Sequence, residues 1–320
     1  TKDDEMDPFS SIGPTDDGRI KPDLVAVGVD VLTTADDDGY VAASGTSISA
    51  PVVAGVAALL TDFSRRRHGR DPRSSVLKNL LIHSARDLGE PGPDYRSGFG
   101  MADAELAARV LVAAVFDDAT FRSPRRPTAR VSPVISSGSS IRDIRTKPSS
   151  VPSMRSLLIE DLLDHGERLT YFFPVATGCD ELRATLVWHD PPGPELVNDL
   201  DLLVMAPDGR VFHPFVLDPD QPSATASRGT NQRDNVEHIR VLSPRAGRWR
   251  IIIDGTAVAD GPQDLSLIAS AGDGNRAPER FSEGDVVVGE FFATGDDSSA
   301  QDLRPWTVFR DGDPLNFYIE

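Results

Sequence analysis

The stretch from about Ser47 to Phe63 constrains this chain more than any other. Val52, Val53, Val56, Ala57, Leu59 and Leu60 recur at helical spacing but cover most of the circumference. A helix that is apolar all round belongs inside a core and needs cover on every side. Short apolar runs and further helices surround it. Leu24-Val25-Ala26-Val27 ends at Gly28 and reads as a strand buried on both faces. A second helix is expected from about Ser74, an N-cap candidate, with Val76, Leu77, Leu80, Leu81 and Ala85 as its stripe. A third is expected over about Asp103–Val112, with Leu106, Val110 and Leu111 inward. Buried strand and helices together predict an α/β layer structure for residues 1–115.

The rest of the chain has a different texture. Residues 116–155 are rich in Ser, Pro and Arg and read as a linker. Residues 156–271 alternate apolar and polar positions between turn signals, which predicts an all-β domain. Strands are expected at 167–175, 181–190, 200–206, 235–242, 248–254 and 263–270. The turns include Pro207-Asp208-Gly209. Many short strands with regular turns suit a sandwich or jelly roll. Residues 272–320 form an extension without a recognisable motif.

Bulk properties narrow the function. With 320 residues, about two domains are expected. The net charge of −17 disfavours nucleic-acid binding. No run approaches the roughly 18 uninterrupted apolar residues of a membrane span, and no signal peptide is visible at the acidic start. Cys179 is the one cysteine, so no internal disulfide forms and no zinc spacing exists; a half-buried strand position suits it.

The chemistry concentrates at Ser44-Gly45-Thr46-Ser47-Ile48-Ser49-Ala50-Pro51. A serine at a helix N-terminus has free backbone N–H groups and the helix dipole beside it, which suits a nucleophile that generates an oxyanion. Gly45 permits close approach, and Pro51 falls near the first turn, where a lost N–H costs little. The residues alone are better served by a serine capping an ordinary core helix.

SGTSISAPVVAG resembles the nucleophile signature of subtilisin-like serine proteases. FSSIGPTDDGRIKPDLVAVGVDVLTT resembles the segment before it, and SSVLKNLLIHSARDLG and SGFGMADAELA resemble the last two helices of that catalytic domain. The resemblance covers residues 9–112 in order. It implies that Ser47 is the nucleophile of a serine endopeptidase acting on protein or peptide substrates through an acyl-enzyme, without an organic cofactor. It also implies a parallel-sheet α/β catalytic portion and a secreted, extracellular location. The sequence departs from the usual pattern at Ile12, Val27 and Val52, none of which would move protons. In the family order Asp and His precede Ser. Only 46 residues precede Ser47, with no Asp-Ser/Thr-Gly or His-Gly-Thr motif among them. The chain alone is therefore expected to be nearly inactive and to expose apolar surface. The resemblance implies the missing N-terminal half of the catalytic domain as a partner. The rival expectation is a non-catalytic scaffold that binds through its β-sandwich.

LVWHDPPGPELVNDLDLLVMAPDG, RDNVEHIRVLSPRAGRWRIIIDG and GPQDLSLIAS resemble the jelly-roll domain of certain alkaline subtilases, which bind structural calcium. Asp199 and Asp201 are two apart and share a strand face. Asp190, Asn235 and Glu237 are expected to converge there, because calcium takes six to eight oxygen ligands.

Overall fold

The computed structural model describes residues 5–36, 39–116 and 154–272. The expected linker lies almost wholly outside these residues, as does the C-terminal extension. The chain enters through loops to a hairpin, β1 (Val31–Thr34) and β2 (Tyr40–Ala43), then forms helix α1 (Thr46–His68), α2 (Ser74–Ser84) and α3 (Ala104–Ala113). Strands follow: β3 (Ala114–Phe116), β4 (Arg155–Leu163), β5 (Arg168–Val175), β6 (Glu181–Trp188), β7 (Asn198–Met205) and β8 (Val211–Phe212). The last are β9 (Phe215–Val216), β10 (Ser227–Arg228), β11 (Val236–Leu242), β12 (Gly247–Val258) and β13 (Gln263–Gly272).

Residues 154–272 form a two-sheet sandwich. One sheet runs β11-β6-β13-β4-β3 and the other β5-β12-β7-β8. From β4 to β7, and again from β11 to β13, successive strands alternate between sheets. The inward residues of both sheets, including Leu186, Trp188, Leu200, Leu202, Trp249, Ile251 and Leu267, make one sealed core. Trp188 donates its indole N–H to the Asn198 carbonyl at 3.0 Å, and Trp249 donates to that of Arg245 at 2.8 Å, so burial leaves neither ring polar atom unpaired.

The six expected strands are present within a residue or two, except that β12 runs on to Val258. β4 is additional. Its sequence RSLLIEDLL does not alternate because it is buried on both faces. The reason is α2 and α3. They cover the outer face of the five-stranded sheet, with α2 against β6 and β13 and α3 against β4. Val76, Leu80, Val110 and Leu111 share a core with Leu158 and Ile268. The helices and the sandwich are therefore packed as one body across that face.

The α2–sheet contact also carries polar groups. Asn79 donates to the Thr185 carbonyl at 3.0 Å and to that of Ser266 at 2.7 Å. His83 Nδ1 lies 2.8 Å from Thr185 Oγ1, and its Nε2 lies 2.8 Å from Ser270 Oγ. Arg183 donates to the carbonyls of His83 and Ala85 at 2.9 and 3.2 Å. Its guanidinium also pairs with Glu181, which Arg240 holds from the other side at 3.0 Å. Further out, Arg70 binds the buried Glu160 at 2.8 Å.

The parallel α/β sheet expected in residues 1–115 does not form among the described residues. Leu24–Val27 is no strand; Val25 makes a single parallel bridge with Met101. A strand meant to be covered on both sides has here one partner and no neighbouring sheet. α3 starts where expected, with Asp103 accepting from the Leu106 N–H at 2.8 Å as its cap. Ser74 is the first helical residue and not the cap, which is Arg73; its hydroxyl meets His189 Nε2 at 2.9 Å instead.

Candidate nucleophile site

Helix α1 places Ser47 one residue after its first, Thr46, with Gly45 as N-cap. The Ile48 and Ser49 N–H groups both bond to the Gly45 carbonyl, at 3.0 and 3.3 Å. The N–H groups of Thr46 and Ser47 make no such bond among the described residues and remain available at the positive end of the helix. Ser47 is exposed, and its hydroxyl has no hydrogen-bond partner among the described residues. The loop before it is held by a close approach. The Gly45 N–H donates to the Gly28 carbonyl at 2.8 Å. A Cβ on Gly28 would stand 2.0 Å from Ser49 Oγ and 2.8 Å from the Gly45 carbonyl oxygen. Only glycine fits there. Ser44 Oγ accepts from the Asp30 N–H at 2.9 Å and completes the turn.

Helix α1 departs from the fully buried helix predicted. Val56, Leu60, Phe63 and Ser64 are buried, facing α2 and α3, while Val52 is 40% exposed. Thr46, Ser49, Ala50 and Val53 line a groove of about 300 Å³ whose other wall includes Phe9, Leu24 and Ala26. At 100° per residue this face is not that of Ser47, so the groove lies beside the serine. Phe9, Ile12, Val27, Leu32, Tyr40 and Val41 are exposed. Among the described residues, the large apolar side chains left exposed lie in residues 5–58 apart from Val211 and Leu242 on the sandwich. By length and a mean hydropathy of 1.5, α1 also has the makings of a membrane span; the same properties suit a helix at the centre of a domain.

None of the six histidines hydrogen-bonds to Ser47. His68 closes the same helix, about 30 Å away at 1.5 Å per residue. His83 is buried against the sheet and His238 is half-buried on β11; both are bonded to Thr185. His189 is at Ser74, His165 Nδ1 accepts from the Val258 N–H at 3.3 Å, and His213 sits on the sandwich surface.

The expected calcium ligands do not assemble as a set of five. Both carboxylate oxygens of Asp190 accept backbone N–H groups, from Val197 at 2.7 Å and Asn198 at 2.8 Å, closing the β6–β7 loop. Asn235 donates to the Trp188 carbonyl at 2.8 Å, where β11 begins to pair with β6. These two residues are structural fasteners. The others stay close together: Asp201 accepts from Thr256, and Glu237 reaches across to accept from the Leu202 N–H. Asp199 Oδ1 and Glu237 Oε1 are buried without partners. Burial pushes the Asp199 carboxyl up to about 6, with Asp201 adding repulsion. Burial likewise pushes Glu237 well above the usual range, with Asp201 and Asp199 reinforcing it. No group of three His, Cys, Asp or Glu side chains among the described residues is arranged to hold a metal ion.

The buried Asn79–His83 contacts went unread in the sequence, although a polar pair inside the apolar stripe of NLLIHSA was the available signal.

Residues 1–100 match the family model for the Subtilase family, Peptidase_S8. C5a peptidase of Streptococcus pyogenes is 40% identical over 108 residues, 31% of this chain and 9% of that protein. Subtilisin-like protease SBT6.1 of Arabidopsis thaliana is 37% identical over 110 residues, 32% of this chain and 10% of that protein. Serine protease/ABC transporter B family protein tagA of Dictyostelium discoideum is 24% identical over 294 residues, 81% of this chain and 15% of that protein. That last match is long enough to take in both the helical part and the sandwich. Among solved structures, a lanthipeptide protease is 44% identical with a TM-score of 0.21, covering 22% of this chain and 21% of that one. The chain spans less than a fifth of the length of these curated relatives. The family match falls on the same stretch as the resemblance read from the sequence.

Proposed function

We propose that this chain is the rear part of a subtilisin-like serine endopeptidase, with Ser47 as its nucleophile. One observation carries the reading: within the subtilase-type segment, Ser47 stands exposed at the start of α1 with its hydroxyl uncommitted and helix-end N–H groups beside it. Ser47 Oγ would attack the scissile carbonyl carbon while a base takes its proton. The C–N bond breaks, the amine leaves with that proton, and water then hydrolyses the acyl-enzyme. The Ser47 N–H would bind the oxyanion. No histidine of this chain hydrogen-bonds to Ser47, so the base and its carboxylate would come from a catalytic portion packed against the open face of α1. Without it, activity should fall by about 10⁴- to 10⁶-fold. The parallel α/β sheet and the jelly-roll reading of the sandwich belong to the same proposal, as does secretion from the cell.

The experiment is fluorophosphonate labelling of this chain alone and of the protein extended by whatever is encoded in frame before Thr1. Labelling at Ser47 only in the extended protein, abolished by Ser47→Ala, is the expected result. An extended protein that is folded but unlabelled would favour the scaffold reading, which the complete sandwich and the partnerless Ser47 make the one serious rival.

Structural calcium is proposed in a reduced form. Asp199, Asp201 and Glu237 concentrate negative charge, and two of their oxygens lack partners, which a cation would relieve. The side chains would have to draw together to hold it. Addition of calcium at pH 7 should raise the unfolding temperature, and Glu237→Gln should abolish that rise.

A further inference from the structure

His83 sits where two regions of the molecule meet. It belongs to α2, near the helix C-terminus, and is 1% exposed. Both ring nitrogens are bonded to hydroxyls of the sandwich, Thr185 on β6 and Ser270 on β13, each at 2.8 Å. A neutral imidazole satisfies both: one nitrogen donates, the other accepts, and each hydroxyl can do either. Thr185 passes the chain on to His238 Nδ1 at 2.8 Å.

The surroundings are arranged against a cation on this ring. From β6, Arg183 donates to the His83 carbonyl at 2.9 Å, which brings a fixed positive charge to the same residue. From β11 comes His238, with its ring edge-on at 6.5 Å, itself under the charge of Arg240. From β10 comes Arg228, whose charge also acts on His238. The nearest carboxylates are occupied: Glu181 by Arg183 and Arg240, and Asp87 by Arg240 at 3.1 Å. On the remaining sides, α3 presents Leu106 and Val110, β13 presents Ser270, and Met154 lies just before β4. No carboxylate reaches His83 among the described residues.

We propose that the α2–sandwich contact is an acid-sensitive latch, in which protonation of His83 releases α2 from the sheet. Burial and the nearby Arg183 hold the imidazole well below its ordinary range, so the docked state excludes the proton. An undocked His83 regains ordinary affinity for it, near pH 6.5. The docked form binds fewer protons, so docking is at full strength above about pH 6.5 and weakens as pH falls below it. The docking constant should drop about 15-fold between pH 6.5 and 5, with the slope approaching about tenfold per pH unit at the acid end of that window. This inference is independent of the peptidase proposal, because neither Ser47 nor any substrate enters it.

The test is an NMR titration of the full 320-residue chain from pH 8 to 5. It follows the methyl groups of Leu80 and Ile82 on α2 and, as an internal control, the Trp249 indole in the sandwich core. The expected result is a second set of α2 signals growing in below about pH 6.5 while Trp249 stays native. In His83→Gln, the pH dependence should be shallower by about one proton, a factor of about ten per pH unit. An unchanged slope in His83→Gln would overturn the latch. Should that variant fail to dock even at pH 8, the wild-type titration decides alone. α2 and Trp249 signals changing together, or α2 unchanged while the His83 ring protonates near pH 6.5, would each contradict it.

Discussion

In the sandwich, Trp188 and Trp249 are fully buried and each indole N–H has an acceptor; in the nucleophile region, Leu32 and Tyr40 are two-thirds exposed and α1 leaves one flank open. Both regions are rich in apolar side chains, so composition does not separate them. What separates them is whether each apolar face has a partner within the chain. The sandwich closes two sheets on one another and receives α2 and α3 on its outer face. The stretch around Ser47 has only the far half of α1 packed. A sequence can thus carry the marks of a buried element without carrying what buries it.

Substitutions should expose this difference most clearly at the two extremes. Trp249→Ala removes a fully buried ring from a closed core and should cost about 3–5 kcal/mol in denaturant unfolding. Val52→Ala, on the same scale, should lie within about 0.5 kcal/mol. A cost above about 2 kcal/mol for Val52→Ala would mean that the open flank of α1 is covered in solution.

The seam between the regions comes next. Asn79→Ala strips a donor from two buried carbonyls, those of Thr185 and Ser266, and should cost about 1–3 kcal/mol. The loss should appear as weaker protection of α2, with β12 little changed. Within the open region, Gly28→Ala forces a Cβ against Ser49 and the Gly45 carbonyl, an overpacking of about 1–3 kcal/mol felt only locally. Circular dichroism should show the main unfolding transition unmoved, while the turn before Ser47 loses protection from limited proteolysis.

The smallest effect concerns pH. Asp199 is raised to about 6, so the folded state binds more protons than the unfolded one between about pH 4 and 6. Stability from this group is present below that window and lost as pH rises through it. Asp199→Asn should remove the loss and make the protein slightly more stable at pH 7, read as a small rise in unfolding temperature. The sign is opposite to that expected for His83, so the two groups can be told apart in one stability profile.

The sandwich was legible in the sequence because its strands alternate or carry turn signals at their ends, as at Pro207-Asp208-Gly209. β4 was not, because burial on both faces erases alternation, and the α2–α3 cover that causes it lies elsewhere in the chain. The helix start at Ser47 was legible in the run Gly45-Thr46-Ser47. The full burial predicted for α1 did not follow, since periodicity reports what a helix needs and not what the chain supplies. The five expected metal ligands are not drawn together for a related reason. Residue type placed Asp190 and Asn235 among oxygen donors, but backbone N–H and carbonyl groups at strand ends compete for the same side chains and hold them.

The most direct test of the comparison is native-state hydrogen exchange on the 320-residue chain at pH 7. Amides of α1 from Ile48 to Leu59 should exchange orders of magnitude faster than those of β12 and β13, with α2 close to the sandwich. Equal protection of α1 and β12 would contradict the account, because the helix bearing Ser47 would then be as well covered as the core of the sandwich.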